Sequence, residues 1–272
     1  MDNYQHLKIK SLNLSYLTSG EGKTGLVCFH GFGRNATDFI GLNLPDDVKV
    51  ISINLPFHGA TDFEKNDHQK TLTKTMLLDA LKVLVKKEAV SNFFMCGYSL
   101  GGKAVLSLLE NHELPILGVI LFAPDGFKAN PWYRFASQTK LGEALNRSNI
   151  KNPWVFKAFL KTSRRLGLAS KRQLSFASEQ MNSEKKRALV YNIWRAHRKL
   201  QPNLSLVEQT LVKTNIELEI CVGKYDKIIP RKPIQNWSDK TSKASLEILR
   251  CGHVIGQNII ETKLTNLIQQ QS

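Results

Sequence analysis

Cysteine is scarce in this 272-residue chain, which holds only Cys28, Cys96, Cys221 and Cys251. All four fall within or just after short apolar runs. Their spacing suits neither a disulfide framework nor a metal knuckle, so free core thiols in a reducing compartment are expected. No apolar run reaches the roughly 18 residues a membrane-spanning helix needs. The start, Met1-Asp2-Asn3-Tyr4-Gln5-His6, lacks the basic and apolar stretches of a secretory leader, which makes a cytoplasmic location the expectation. Acids are missing from one region in particular. Residues 128–201 carry 17 Lys and Arg against Glu143, Glu179 and Glu184, whereas the remainder holds 21 basic and 20 acidic residues. Nearly all of the net charge of +15 therefore sits in that stretch. Such a surface can serve solubility, draw anionic small-molecule substrates, or meet an anionic membrane. No nucleic-acid-binding module is present in the pattern, so nucleic acid is not an expected partner.

What is present is a G-x-S-x-G run, Gly97-Tyr98-Ser99-Leu100-Gly101. The preceding Asn92 to Cys96 is apolar and aromatic, the pattern of a strand buried on both faces. The following Leu100 to Leu109 spaces its apolar side chains as a helix does. A serine at so tight a strand-to-helix turn is lifted clear of the sheet, and the flanking glycines relieve crowding. The helix start adds amide donors and a positive dipole end.

A serine hydroxyl becomes a nucleophile when a base takes its proton, and the base needs a third group to hold its tautomer. The partners should lie at other strand ends. Ile216 to Gly223 reads as a strand and leads into a loop containing Asp226. Ser245 to Leu249 reads as a further strand, followed by Arg250-Cys251-Gly252-His253. Asp125, after the apolar strand Leu117 to Phe122, is a rival for the acid. Asp226 is preferred for its glycine-to-proline loop and its spacing to His253. His30 and His58 sit in turns where bonding to backbone is the expected role.

The order Ser99, Asp226, His253 resembles that of the α/β-hydrolase fold family. The resemblance extends to His30-Gly31-Phe32-Gly33 after the strand Leu26 to Phe29, where the family keeps its oxyanion loop. It also covers Asn54-Leu55-Pro56-Phe57-His58-Gly59, similar to the family's D-x-P-G-H-G turn but with Asn for Asp and Phe for Gly. The resemblance implies an α/β architecture: a mostly parallel central sheet flanked by helices, with an inserted helical cap. It further implies an oxyanion hole formed by the Phe32 and Leu100 backbone N–H groups, and a reaction needing no metal or organic cofactor.

The expected organisation is a core over 1–127 and 207–272, interrupted by a basic helical cap over 128–206. Strands are expected at Gln5–Lys10 and Leu12–Leu17 and ending at Phe29 and Ile53, with a helix over Leu72–Val85. Within the cap, Asn130-Pro131-Trp132 and Asn152-Pro153-Trp154 read as two helix starts, each with Asn as N-cap and Pro at the first helical position. The second helix is expected to run to Leu166 and stop at Gly167. Another is expected over Ser183–Leu200. The cap aromatics, Trp132, Tyr133, Trp154 and Trp194 among them, suit either packing or an apolar acyl pocket.

These readings converge on a serine hydrolase cleaving a carboxylic ester or thioester through an acyl-enzyme. Two alternatives stand beside it: carbon–carbon cleavage or a lyase reaction on an acidic keto substrate, and a non-catalytic binding protein on the same fold.

Overall fold

The computed structural model describes residues 3–128, 131–165, 178–179 and 181–270. Among them the chain separates into two compact units, one of residues 1–68, 72–128 and 200–272 and one of residues 69–71 and 129–199. The first unit is built on a nine-stranded sheet.

The sheet opens with an antiparallel hairpin, β1 (Gln5–Ile9) and β2 (Leu12–Ser19). β3 (Thr24–Phe29) and β4 (Val48–Ile53) follow, and the two-residue β5 (Asp62–Phe63) pairs only with β2. The remaining strands are β6 (Asn92–Tyr98), β7 (Ile116–Phe122), β8 (Leu218–Gly223) and β9 (Ala244–Leu249). Their spatial order is β1-β2-β4-β3-β6-β7-β8-β9, parallel from β4 to β9. Order reverses around β3, so β6 occupies the middle of the sheet. β6 reads Asn-Phe-Phe-Met-Cys-Gly-Tyr, and its residues from Phe93 to Gly97 are buried. A strand covered on both faces needs that unbroken apolar run. Each fully buried Phe there contributes about 1.5–3 kcal/mol by leaving water.

Helices are numbered in chain order. In this unit they are α1 (Lys74–Lys87), α2 (Leu100–Leu108), α7 (Leu204–Thr214), α8 (Arg231–Ser238) and α9 (Gln257–Gln269). α1 starts two residues after the expected Leu72, because the Thr73 side chain accepts from the Met76 amide and caps the helix there. β2 runs on past Leu17 to Ser19, since Leu17–Ser19 also pair with β4. All four cysteines are free thiols, Cys28 and Cys96 standing side by side on β3 and β6. Among the described residues no helix is long and apolar enough to cross a membrane.

The inserted unit is helical: α3 (Pro131–Gln138), α4 (Lys140–Lys151), α5 (Trp154–Arg165) and α6 (Glu184–Ala196). It is shorter than the expected 128–206, ending at Lys199. Residues from Leu200 belong with the sheet: Leu200, Val207 and Leu211 are fully buried, and the Asn203 amide donates to Glu110 at 2.8 Å. Asn152 does not open a helix as the sequence suggests. It closes α4, its amide bonding the Ser148 carbonyl, while the Pro153 carbonyl accepts from Lys157 in the first turn of α5. The Asn130 cap and the Leu166–Gly167 stop lie outside the described residues. Tyr133 and Trp194 pack edge to face at 5.4 Å, the packing role for those aromatics. Glu143 accepts from Arg198 and the Tyr191 hydroxyl and forms an ion pair with Arg195.

Candidate active site

β6 ends at Tyr98, α2 begins at Leu100, and Ser99 between them has φ +48° and ψ −110°. A non-glycine residue in that region is strained, and here the neighbours are shaped to permit it. A Cβ on Gly97 would come within 2.9 Å of the Gly101 and Gly102 backbone, and one on Gly101 would overlap the Phe29 carbonyl. The Ser99 amide donates to the Phe122 carbonyl, and the Ser99 carbonyl accepts from Gly102 and Asp125, each at 2.9 Å. The turn is held from both strands.

Asp226 and His253 follow β8 and β9, adjacent parallel strands whose C-terminal ends lie on the same side as that of β6. His253 Nε2 lies 3.2 Å from Ser99 Oγ, and His253 Nδ1 lies 2.8 Å from Asp226 Oδ2. The other carboxylate oxygen, Oδ1, accepts from the Ile228 and Ile229 amides at 2.7 and 3.0 Å. The Asp226 side chain is 3% exposed and that of His253 18% exposed. Burial alone would push the Asp226 carboxyl upward. The hydrogen bond from His253 and the two amides outweigh it and hold this acid below the usual range. Nδ1–H therefore points at a carboxylate, which leaves Nε2 as the acceptor facing the serine.

Asp125 stands elsewhere. Its Oδ1 accepts from the Gly126 amide and its charge acts on buried Lys103, whose ammonium burial pushes below its ordinary range. Of the two candidate acids, Asp226 is the one hydrogen-bonded to His253.

Leu100 opens α2, so its amide is among those helical geometry leaves without an intrahelical partner. The loop containing Phe32 runs past Ser99, a Cβ on Gly31 coming 3.4 Å from the Ser99 Cβ. Two histidines support that loop. His58 Nε2 accepts from the Gly33 amide at 3.0 Å while Nδ1 faces the Pro56 carbonyl; His30 Nε2 accepts from Leu55 at 3.1 Å while Nδ1 faces the Gly31 carbonyl. Both rings are thus neutral Nδ1–H tautomers bonded to backbone, the role expected of them. Burial pushes the His58 pKa down. Asn54, which replaces the family's Asp, uses both ends of its amide: Oδ1 accepts from Ala36 and Nδ2 donates to Ser15 Oγ. Phe57, in the family's Gly position, keeps the left-handed backbone at φ +65°.

Glu219, Cys221 and Glu247 bring three metal-type ligand atoms together. The Lys263 ammonium bridges the two carboxylates, so a cation of the protein's own already occupies the role a metal would take.

Tyr98 is the residue sequence reasoning missed. Its hydroxyl donates to the His253 carbonyl at 2.7 Å and accepts from the Ile255 amide at 2.9 Å. The motif marked the position as a mere spacer.

A serine on a strand–turn–helix at mid-sheet, with histidine and aspartate supplied by later strand ends, defines the α/β-hydrolase class. The chain belongs to the alpha/beta hydrolase fold family, whose model matches residues 25–255. Among solved structures it is similar to a thermophilic esterase from Thermogutta terrifontis, with TM-score 0.68, 15% identity, and 98% and 100% of the two chains covered. It is also similar to a protein from Burkholderia cenocepacia assigned as an aryl esterase, at 0.67, 17%, and 99% of each chain. A third, a 2-hydroxy-6-oxo-6-phenylhexa-2,4-dienoate hydrolase from a Rhodococcus species, aligns at 0.66 and 17% over 98% of each chain. No curated protein matches the sequence.

Proposed function

We propose that the chain is a serine hydrolase of carboxylic esters or thioesters, with Ser99 as nucleophile, His253 as base and Asp226 as the orienting acid. The observation that carries this reading is the unbroken hydrogen-bonded path from Ser99 Oγ through His253 to Asp226 Oδ2, at 3.2 and 2.8 Å. In this mechanism His253 Nε2 takes the Ser99 proton as Oγ bonds to the substrate carbonyl carbon. The carbonyl electron pair moves onto oxygen, where the Phe32 and Leu100 N–H groups receive it. The imidazolium, held by Asp226, then gives its proton to the departing alcohol or thiol. Water, losing a proton to the same nitrogen, attacks the acyl-enzyme and releases the acid and Ser99.

The Thermogutta esterase supports ester substrates, and the Rhodococcus neighbour keeps carbon–carbon cleavage as the second reading. One panel tests both: p-nitrophenyl esters of increasing chain length, an acyl thioester, and a vinylogous keto acid. Ester or thioester turnover is expected to dominate. Ser99→Ala should lower it at least about a thousandfold. A fluorophosphonate probe should label Ser99 alone. Turnover confined to the keto acid would replace the ester reading with the second. No turnover and no labelling would leave a binding protein.

A further inference from the structure

Tyr98 ends the strand that presents the nucleophile, and it reaches across 155 residues of sequence to the histidine loop. Its hydroxyl is used twice, as donor to the His253 carbonyl and as acceptor from the Ile255 amide. Its ring meets the His253 imidazole edge-on at 6.1 Å and stacks on Phe122 at 6.4 Å. Burial pushes the phenol pKa up, which keeps the donating proton in place. Consecutive residues of one strand end thus govern both partners of the Ser99–His253 contact, Ser99 through the backbone and His253 through this clamp. A displacement of about 1 Å between reacting groups can cost about a hundredfold in rate.

We propose that Tyr98 is a positioning residue whose hydroxyl fixes the His253 loop against the nucleophile strand. The inference rests on the serine-hydrolase reading for its kinetic consequence but not for its geometric one. Tyr98→Phe removes a single oxygen and leaves both ring contacts. It is expected to lower kcat for p-nitrophenyl acetate about 10- to 100-fold with KM within about twofold. The His253 Nδ1 proton, hydrogen-bonded to Asp226, should give a downfield proton NMR signal that broadens or disappears in the variant. A cavity variant outside the core cluster against which Tyr98 packs, Leu84→Ala on α1, should lower the melting temperature while keeping kcat and the signal. In a second test, difluorotyrosine at position 98 keeps the shape and lowers the phenol pKa. The alkaline limb of kcat should move down with it. Unchanged kcat and an unchanged signal in folded Tyr98→Phe, or an unmoved alkaline limb, would overturn the proposal. If the wild type neither turns over nor labels, the hydrolase reading fails while the NMR comparison still judges the clamp.

A separate observation concerns the inserted unit, whose residues 69–71 and 129–199 hold 17 Lys and Arg and three acids. On α4 and α5 the solvent-exposed residues include Lys140, Arg147, Lys151, Lys157, Lys161 and Arg165. Glu143, the one acid of these two helices, is committed to Arg195 and Arg198, so it does not offset these cations. Large apolar side chains are exposed on the same helices, Trp154 at 68% and Leu141 at 66%. Cations with an exposed Trp fit an anionic lipid interface better than a nucleic acid. We infer that this surface docks on bilayers bearing anionic phospholipid. The full chain should co-sediment with phosphatidylcholine vesicles containing about one-third phosphatidylglycerol at low salt, and be released as Debye screening tightens near 1 M salt. The triple variant Lys157→Glu, Lys161→Glu, Arg165→Glu should lose most of this binding, and Trp154→Ala should weaken it several-fold. Equal binding to pure phosphatidylcholine, no binding at low salt, or preference for a single-stranded oligonucleotide over the vesicles would overturn it.

Discussion

Asp226→Asn is the substitution whose outcome follows most directly from the geometry. The Asp226 Oδ1 accepts from two amides, Ile228 and Ile229, so only an oxygen can sit there. The asparagine carbonyl must take that place, and its NH2 group is then locked toward His253 Nδ1. Two donors would face each other across 2.8 Å. The imidazole escapes by moving its proton to Nε2, which presents a donor to Ser99 and removes the base. A triad Asp→Asn change that keeps the geometry but fixes the wrong tautomer costs about 10⁴-fold in kcat. At 1.36 kcal/mol per decade this is about 5.5 kcal/mol of transition-state stabilisation. Folding should suffer far less, because one charge-assisted hydrogen bond is worth about 1.5–3 kcal/mol. The assay is p-nitrophenyl ester hydrolysis with a thermal melt on the same sample, and Asp125→Asn alongside. More than a tenth of wild-type turnover in Asp226→Asn, or an equal loss in Asp125→Asn, would refute the reasoning.

Gly101→Ala places a methyl against the Phe29 carbonyl and should cost about 1–3 kcal/mol by overpacking. A melting curve should fall by several degrees; an unchanged curve would show that the elbow yields. His58 is held neutral by burial, with its pKa below the ordinary 6.5. The unfolded chain therefore takes up this proton first on acidification, so the stabilisation is present above pH 6.5 and lost as pH falls below it. His58→Gln keeps an acceptor for Gly33 without titrating, and its urea midpoint should decline less steeply with acid than that of the wild type.

The parts legible in the sequence are those written locally. Ser99 stands in a contiguous motif, and Asp226 and His253 each follow a short apolar run, so strand ends and chain order were enough to pair them. The two-ended use of Asn54 and the left-handed Phe57 were not legible, because a turn's backbone demands are invisible when its residues depart from the common pattern. Asn152-Pro153 misled because the same pair can close one helix or open the next, and α4 already reached Lys151. Residues 200–206 follow the basic stretch before the next strand signal at Ile216, so the pattern assigned them to the insertion. The Tyr98 clamp was hidden for a different reason: its partners are backbone groups, which carry no residue signature.

The insertion bears on how the molecule assembles. Val119 on β7 pairs with Leu218 on β8, so neighbours in the sheet are about a hundred residues apart in the chain. The preceding crossover, from Phe94 on β6 to Gly118 on β7, is about a quarter of that length. Two doublings of loop length add about 1.2 kcal/mol to the entropy of closure. The strands through β7 can therefore pair during synthesis while the later ones are still unmade. Ser99 lies before that long excursion, and Asp226 and His253 lie after it. A chain folded only through β7 carries Ser99 without the His253 that lies 3.2 Å from it in the finished fold. The proposed site is assembled last, when the sheet is closed.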